Sequence, residues 1–233
     1  MYKRNVIVTI VLMLLIFATT SFAAADKYHW KLVDIEDDCQ IYTSDVRGKD
    51  YIAAKTSCII PAKLEVIEMV IRDIANYPES MEDCKDTKIL RVVDDEKGVF
   101  IFWLRQHFPL LADRDIVLKS KRNIDDDGRV LIFTEATNEI SYDSGQGYVR
   151  IPSLYLLCTL EWVDREHTKV TYMIDADLGK GMPAVIANIA IKSIPYKSLR
   201  KMMKMVKKSK YIEAAKTSKY KKIVEEFVKA GHE

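Results

Sequence analysis

Residues 154–163 constrain the fold more than any other segment. Leu154, Leu156, Cys158, Leu160 and Trp162 alternate with Tyr155, Leu157, Thr159 and Glu161. Period-two spacing over this length predicts a β-strand. Both sides of it are largely apolar, so the strand is expected to be covered on both faces. A chain that holds such a strand must place other structure above and below its sheet.

The rest of the chain supplies strands for that sheet. Segments 30–33, 39–43 and 51–60 are rich in β-branched and aromatic residues, and Arg47-Gly48-Lys49-Asp50 reads as a hairpin turn between the last two. Segments 88–93, 98–107, 115–122, 129–136, 147–150 and 169–177 read likewise as strands. Asp94-Asp95-Glu96-Lys97-Gly98 and Asp125-Asp126-Asp127-Gly128 are expected hairpin turns, since Asp and Gly tolerate the backbone angles required. Helical spacing appears twice. Pro61 opens a helix whose Leu64, Ile67, Val70, Ile71 and Ile74 share one face, and Tyr77-Pro78 is expected to stop it. Pro183 opens a longer helix over 183–208, with Val185, Ile186, Ile189 and Ala190 on one face and Leu199, Met202, Met203 and Val206 further on. Pro195 is expected to kink it. The tail from Ser209 is weakly amphipathic through Ile223, Val224, Phe227 and Val228. An antiparallel sheet with an early helix and a long late one is an α+β fold. A curved sheet around a helix leaves a space between them, the natural ligand site.

The ends carry separate messages. Lys3 and Arg4, an apolar run over 6–18 and Ala23-Ala24-Ala25 before Asp26 read as a signal peptide over 1–25. A membrane anchor is the alternative, but a span needs about 20 apolar residues. The expectation is export, to the periplasm or outside the cell. The mature chain divides into a domain over 26–208 and a basic helical tail over 209–233. From Lys192 onward there are 13 Lys and Arg against four Glu, whereas 26–191 carries 21 against 30 Asp and Glu. A basic end on an acidic body suggests docking on an anionic membrane surface through Arg200, Lys201, Lys204, Lys207 and Lys208. The alternative is a solvated helix face that balances the body.

Four cysteines follow the leader: Cys39, Cys58, Cys84 and Cys158. An oxidising compartment permits a disulfide, and four cysteines allow three full pairings. A hairpin centred between Gly48 and Lys49 sets Cys39 directly opposite Cys58, within bonding reach. Two small buried residues are the other reading.

The sequence argues against several chemistries. His29, His107, His167 and His232 are scattered and form no metal pair with Cys or carboxylate. There is no G-x-S-x-G elbow, and Gly145-Gln146-Gly147 lacks the rest of a dinucleotide loop. No cofactor or metal is expected. The body is acidic and basic residues are not interleaved with aromatic ones, so nucleic acid is not an expected partner. What remains is apolar strands and a helix rich in Met, a side chain that adapts to varied ligands.

Ordered motifs then give a resemblance. Trp30-Lys31-Leu32-Val33 and Gln40-Ile41-Tyr42 are followed by Tyr51-Ile52-Ala53-Ala54-Lys55, Tyr77-Pro78, Met81, Asp83-Cys84-Lys85 and Lys88-Ile89-Leu90. Pro109-Leu110, Arg114-Asp115 and Val117 come next, then Gly147-Tyr148-Val149-Arg150, Thr168-Lys169-Val170-Thr171-Tyr172 and Asp175. Pro183 and Ser193-Ile194-Pro195-Tyr196-Lys197-Ser198-Leu199 close the series. Over about 30–208 the chain resembles the START family of lipid-binding domains, and most closely its exported bacterial members. The resemblance implies a helix-grip fold: a curved antiparallel β-sheet wrapped around a long C-terminal α-helix that acts as a lid over a tunnel for one lipid or other hydrophobic molecule.

With the strand alternation, that placement suggests that Trp103, Arg105, Tyr148, Leu156, Cys158, Tyr172, Ile174, Val185 and Ile189 border the ligand. Arg114 and Asp115 are expected to form a structural ion pair at the restart of a strand. A monomeric, non-enzymatic carrier or sensor is the leading expectation. The alternatives are a helix-grip enzyme of cyclase or aromatase type, with Arg105, His107, Tyr148 and Tyr172 as its polar groups, and an interaction module that docks a protein through its basic helix.

Overall fold

The computed structural model describes residues 27–229; the segment 1–25, expected from the sequence to be a signal peptide, lies outside them. One sheet of ten strands dominates. They are β1 (Lys31–Glu36), β2 (Cys39–Asp45), β3 (Ile52–Ile60), β4 (Cys84–Asp94), β5 (Val99–Gln106), β6 (Asp113–Ile124), β7 (Val130–Ala136), β8 (Tyr148–Arg150), β9 (Ser153–Trp162) and β10 (Thr168–Asp177). The order across the sheet is β1-β2-β3-β10-β9-β7-β6-β5-β4. Every neighbouring pair on that path is antiparallel, and β8 adds a short parallel pairing to β6. The turns fall where Asp and Gly predict them, with Gly98 and Gly128 both at positive φ.

Two groups of helices cover the inner face. The first is α1 (Leu64–Arg72), a 3-10 turn (Ile74–Asn76) and the short α2 (Tyr77–Ser80). Tyr77-Pro78, expected to end a helix, instead begins one, because proline's fixed φ and missing N–H suit a first turn. The second is α3 (Ala184–Met205), which has Pro183 at its N-cap and Pro195 within it and lies against β3, β10 and β2. The tail forms α4 (Ser209–Ala215) and α5 (Lys219–Lys229). Both pack on α1, and Tyr211, Ala215 and Tyr220 are buried there. Ile223 and Val224 are partly buried against the same core.

The main core lies between the inner face of the sheet and these helices. It includes Leu64, Ile67, Val70, Ile71 and Ile74, the face read from helical spacing. A second, smaller core of Ile101, Trp103 and Val117 sits on the other side of the sheet, with Leu90, Ile140 and Tyr142 packed on it. Cys39 and Cys58 are joined by a disulfide, Cα atoms 4.5 Å apart, where β2 and β3 pair with Gln40 opposite Ser57.

The exposed side of α3 departs from expectation. Val185 is 72% exposed and Ile189 63%, and Ile186 is exposed too. The buried stripe is Ala187, Ile191, Ile194, Ser198, Met202 and Met205. The first turns of α3 are apolar apart from Asn188, so hydropathy there does not select a face. The stripe is fixed by the C-terminal half and runs back through Ser198, whose polarity disguises it in the sequence.

Candidate functional site

Strand parity builds the site. Phe102, Leu104 and Gln106 of β5, Ile116 and Leu118 of β6, Ile132 and Thr134 of β7, Leu154, Leu156 and Cys158 of β9, and Tyr172 and Ile174 of β10 turn their side chains to the inner face. Val70 and Ile71 of α1, Tyr77 and Ser80 of α2, Met81, and Ile194, Ser198 and Met202 of α3 close the opposite wall. Together they bound about 830 Å³ of space between atoms, part of it open to solvent. The lining is mostly apolar and contains no charged residue.

Of the nine residues expected at this cavity, Leu156, Cys158, Tyr172 and Ile174 line it. Trp103, Arg105 and Tyr148 do not. Their strand positions are out of phase by one residue, which turns each to the outer face. Trp103 packs in the second core, and Arg105 donates to the Tyr148 hydroxyl at 3.2 Å. Val185 and Ile189 are also excluded, for the reason given above for α3. His107 is tied to Asp113 at 2.8 Å outside the cavity. Sequence reasoning missed Gln106, Thr134, Ser80 and Ser198. The available signal was their spacing: Gln106 falls two residues after Leu104, and Thr134 two after Ile132, so each continues an apolar inward row.

Arg114 and Asp115 do not pair with each other. They are consecutive on β6 and therefore point to opposite faces. Arg114 is fully buried, and its guanidinium donates to the carbonyls of Ala112, Leu178 and Lys180 and stacks on the Phe108 ring, 5.3 Å from its centre. It thus fastens the loop before β6 to the loop that leads into α3. Asp115 faces outward and accepts a two-point bond from Arg150, at 2.9 and 2.8 Å, with further bonds from Trp103 Nε1 at 2.9 Å and the Ser144 hydroxyl. Burial pushes the Asp115 carboxyl up. The bonds from Arg150, Ser144 and Trp103 outweigh burial and hold it below the usual carboxylate range.

The cations of α3 and the residues just after it are mostly engaged within the molecule. Arg200 pairs with Asp37 at 3.1 Å, Lys201 with Glu82 at 3.1 Å, and Lys208 with Glu79. Only Lys204 and Lys207 of the expected docking set are exposed without an ion pair among the described residues. The partners come from the β1–β2 turn, from α2 and from the segment just after it, none of which the sequence brings near the helix. Lys192–Asp34 at 3.3 Å and the Tyr196 hydroxyl on Asp37 at 2.9 Å add to the same latch.

The free thiols carry no reactive signature. Burial pushes Cys84 and Cys158 up to about 12, which disfavours the thiolate. Tyr172 is likewise raised well above the ordinary phenol value, chiefly by burial, and is a neutral hydroxyl in the cavity wall.

Comparison with known proteins matches this architecture. A START-domain family model matches residues 19–212. An uncharacterized protein of Pseudomonas aeruginosa is 24% identical over 197 residues, spanning 84% of this chain and 95% of the relative. Among solved structures, a STAR-related lipid transfer protein fragment from Xanthomonas axonopodis superposes with a TM-score of 0.69 at 22% identity, covering 78% of this chain and all of the fragment. Human StAR-related lipid transfer protein 5 gives 0.64 at 13% identity, over 85% of this chain and 93% of its own. These two structures share the fold: a curved sheet gripping a C-terminal helix. On the family match and the architecture together, this chain belongs to the START domain family.

Proposed function

We propose that the protein binds a lipid or other hydrophobic small molecule in the cavity beneath α3, and carries or senses it without changing it chemically. The observation that supports this reading is the cavity itself, enclosed by apolar side chains from five strands and three helices within a START domain. The two solved relatives are named lipid transfer proteins. Among the polar residues an enzyme of this fold would need inside, Arg105, His107 and Tyr148 lie outside the cavity and only Tyr172 reaches it. That distribution favours a binder. The proposal includes export to the periplasm or beyond, supported by the charged and apolar leader over 1–25.

Loading of such a ligand requires an opening. The proposed opening lies where the loop before β6 meets the loop before α3. Leu110 stands there fully exposed at a φ of 65°, and Val185, Ile186 and Ile189 are exposed on the first turns of α3. Exposed apolar side chains gathered on one rim suit a membrane surface. The proposed membrane contact therefore uses these residues, assisted by Lys204 and Lys207; Arg200, Lys201 and Lys208, also read from sequence, are held in ion pairs.

The test is mass spectrometry of an organic extract of natively purified protein, with titration of the hydrocarbon probe diphenylhexatriene. A co-purified lipid, or saturable fluorescence with one probe per chain, is the expected result. An extract free of apolar molecules together with no probe uptake overturns the proposal.

A further inference from the structure

Ser80, Gln106, Thr134 and Tyr172 line the cavity, and each is more than nine-tenths buried. Their side chains have no hydrogen-bond partner among the described residues. That is unusual, because buried polar groups are nearly always paired. Tyr77 in the same wall obeys the rule and donates to the Ile71 carbonyl at 2.8 Å. Asp115 on the other face is fully bonded.

All four belong to the lining of the same cavity. Gln106 pairs across the sheet with Cys84, and Ser80 lies four residues before Cys84 in the chain. Tyr172 is within electrostatic reach of Cys84. Ser198 joins them, since its hydroxyl accepts the Glu82 N–H at 3.1 Å and keeps its own hydrogen free to donate. This cluster offers hydroxyls and a primary amide, hence donors and acceptors together, and no charge.

No charged side chain enters the lining. Glu68 and Arg122 approach each other at 2.9 Å behind the wall. Arg114, the cross-strand neighbour of Gln106, is turned to the carbonyls of Ala112, Leu178 and Lys180. None of the three contributes to the lining. An ionised head group brought to this wall would lose its hydration and meet no counter-ion, whereas a neutral head group would satisfy side chains that now lack partners.

Resting on the ligand-binding reading above, we infer that the ligand is an uncharged amphiphile with one small hydrogen-bonding group, a hydroxyl, ketone or ester, held by Gln106, Tyr172 and Ser80. The same site rejects that chain when it ends in a carboxylate.

Displacement of diphenylhexatriene by 1-dodecanol and by dodecanoate at pH 8 tests this, since the two differ only at the head. Dodecanol is expected to bind at least tenfold more tightly. Gln106→Met and Tyr172→Phe are each expected to weaken dodecanol severalfold relative to diphenylhexatriene, so that the ratio of the two affinities is the readout. Probe binding with dodecanoate equal to or tighter than dodecanol overturns this inference alone, and would point to Arg114 as the head-group partner. Failure of the hydrocarbon probe to bind overturns the proposed function and this inference together. The wild-type comparison needs no variant, so it stands even if a substitution impairs folding.

Discussion

Arg114 and Asp115 are neighbours in sequence, yet they belong to opposite faces of the sheet, and the two faces treat polar groups differently. On the outer face Asp115 is bonded to Trp103, Ser144 and Arg150 over a small core of Ile101, Trp103 and Val117. That network closes on itself and holds the loop over 137–147 against the sheet. On the inner face Arg114 is also satisfied, but at the rim, where it fastens two loops together. Deeper inside, Gln106, Thr134 and Tyr172 are buried, and their side chains are unpaired among the described residues. A polar group whose bonds are complete serves the fold. One that is buried with its bonds unmet costs stability, and the proposed head-group contact gives it a use.

The largest expected effect tests the rim. Arg114→Ala removes three carbonyl partners and the stack on Phe108, and should cost at least about 3 kcal/mol by thermal or urea unfolding. Amide exchange should rise in the loop over 178–183. A loss below about 1 kcal/mol, with unchanged exchange, would show that Arg114 does not join the loops.

Asp115→Asn comes next, with a loss of about 2 kcal/mol, since it gives up the charge-assisted bonds while keeping the shape. The pH dependence has a defined sign. The folded carboxyl lies below its unfolded value, about 4, so its contribution is complete above that value and is lost as pH falls through the folded one. The gap between wild type and variant should be flat from about pH 6 to 8 and close in acid. A gap that widens in acid would contradict the network described for the outer face.

Inside the cavity the expected sign reverses. Gln106→Leu and Thr134→Val replace unpaired polar groups with apolar ones, and each should stabilise the ligand-free protein by about 1 kcal/mol. Destabilisation would mean that these groups have partners in the empty state, and the contrast between the faces would fail.

The smallest effect concerns the rim's exposed tip. A left-handed backbone costs a leucine about 1 kcal/mol, and asparagine tolerates it better. Leu110→Asn should therefore raise stability slightly, by at most about 1 kcal/mol, while slowing transfer of diphenylhexatriene from vesicles. Unchanged transfer would remove Leu110 from the proposed membrane contact.

Much of this architecture is legible in the chain. Period-two strands, Asp and Gly at the turns and two apolar helices specify an α+β fold, because these signals are local and repeat many times. The Cys39–Cys58 bond follows from a hairpin whose centre is fixed by Gly48. Leu156, Cys158, Tyr172 and Ile174 point inward as read, because β9 and β10 pair over their whole lengths without a bulge. Trp103 and Arg105 do not: β5 is almost wholly apolar on both sides, so alternation alone does not say which side faces α3. The first turns of α3 pose the same ambiguity, and there Val185 and Ile189 turn outward.

The sequence by itself determined the class of fold, the order of its elements and the apolar character of the interior, because hydrophobic period and turn chemistry act over a few residues. Only the tertiary structure decided which polar groups are paired. The partners of Arg114 lie in part more than 60 residues away, those of Arg200 and Lys208 lie in other elements, and the Gln106 side chain has none among the described residues. Pairing between distant residues depends on register and packing, and a shift of one residue along a strand exchanges the face that closes on itself for the face that awaits a ligand.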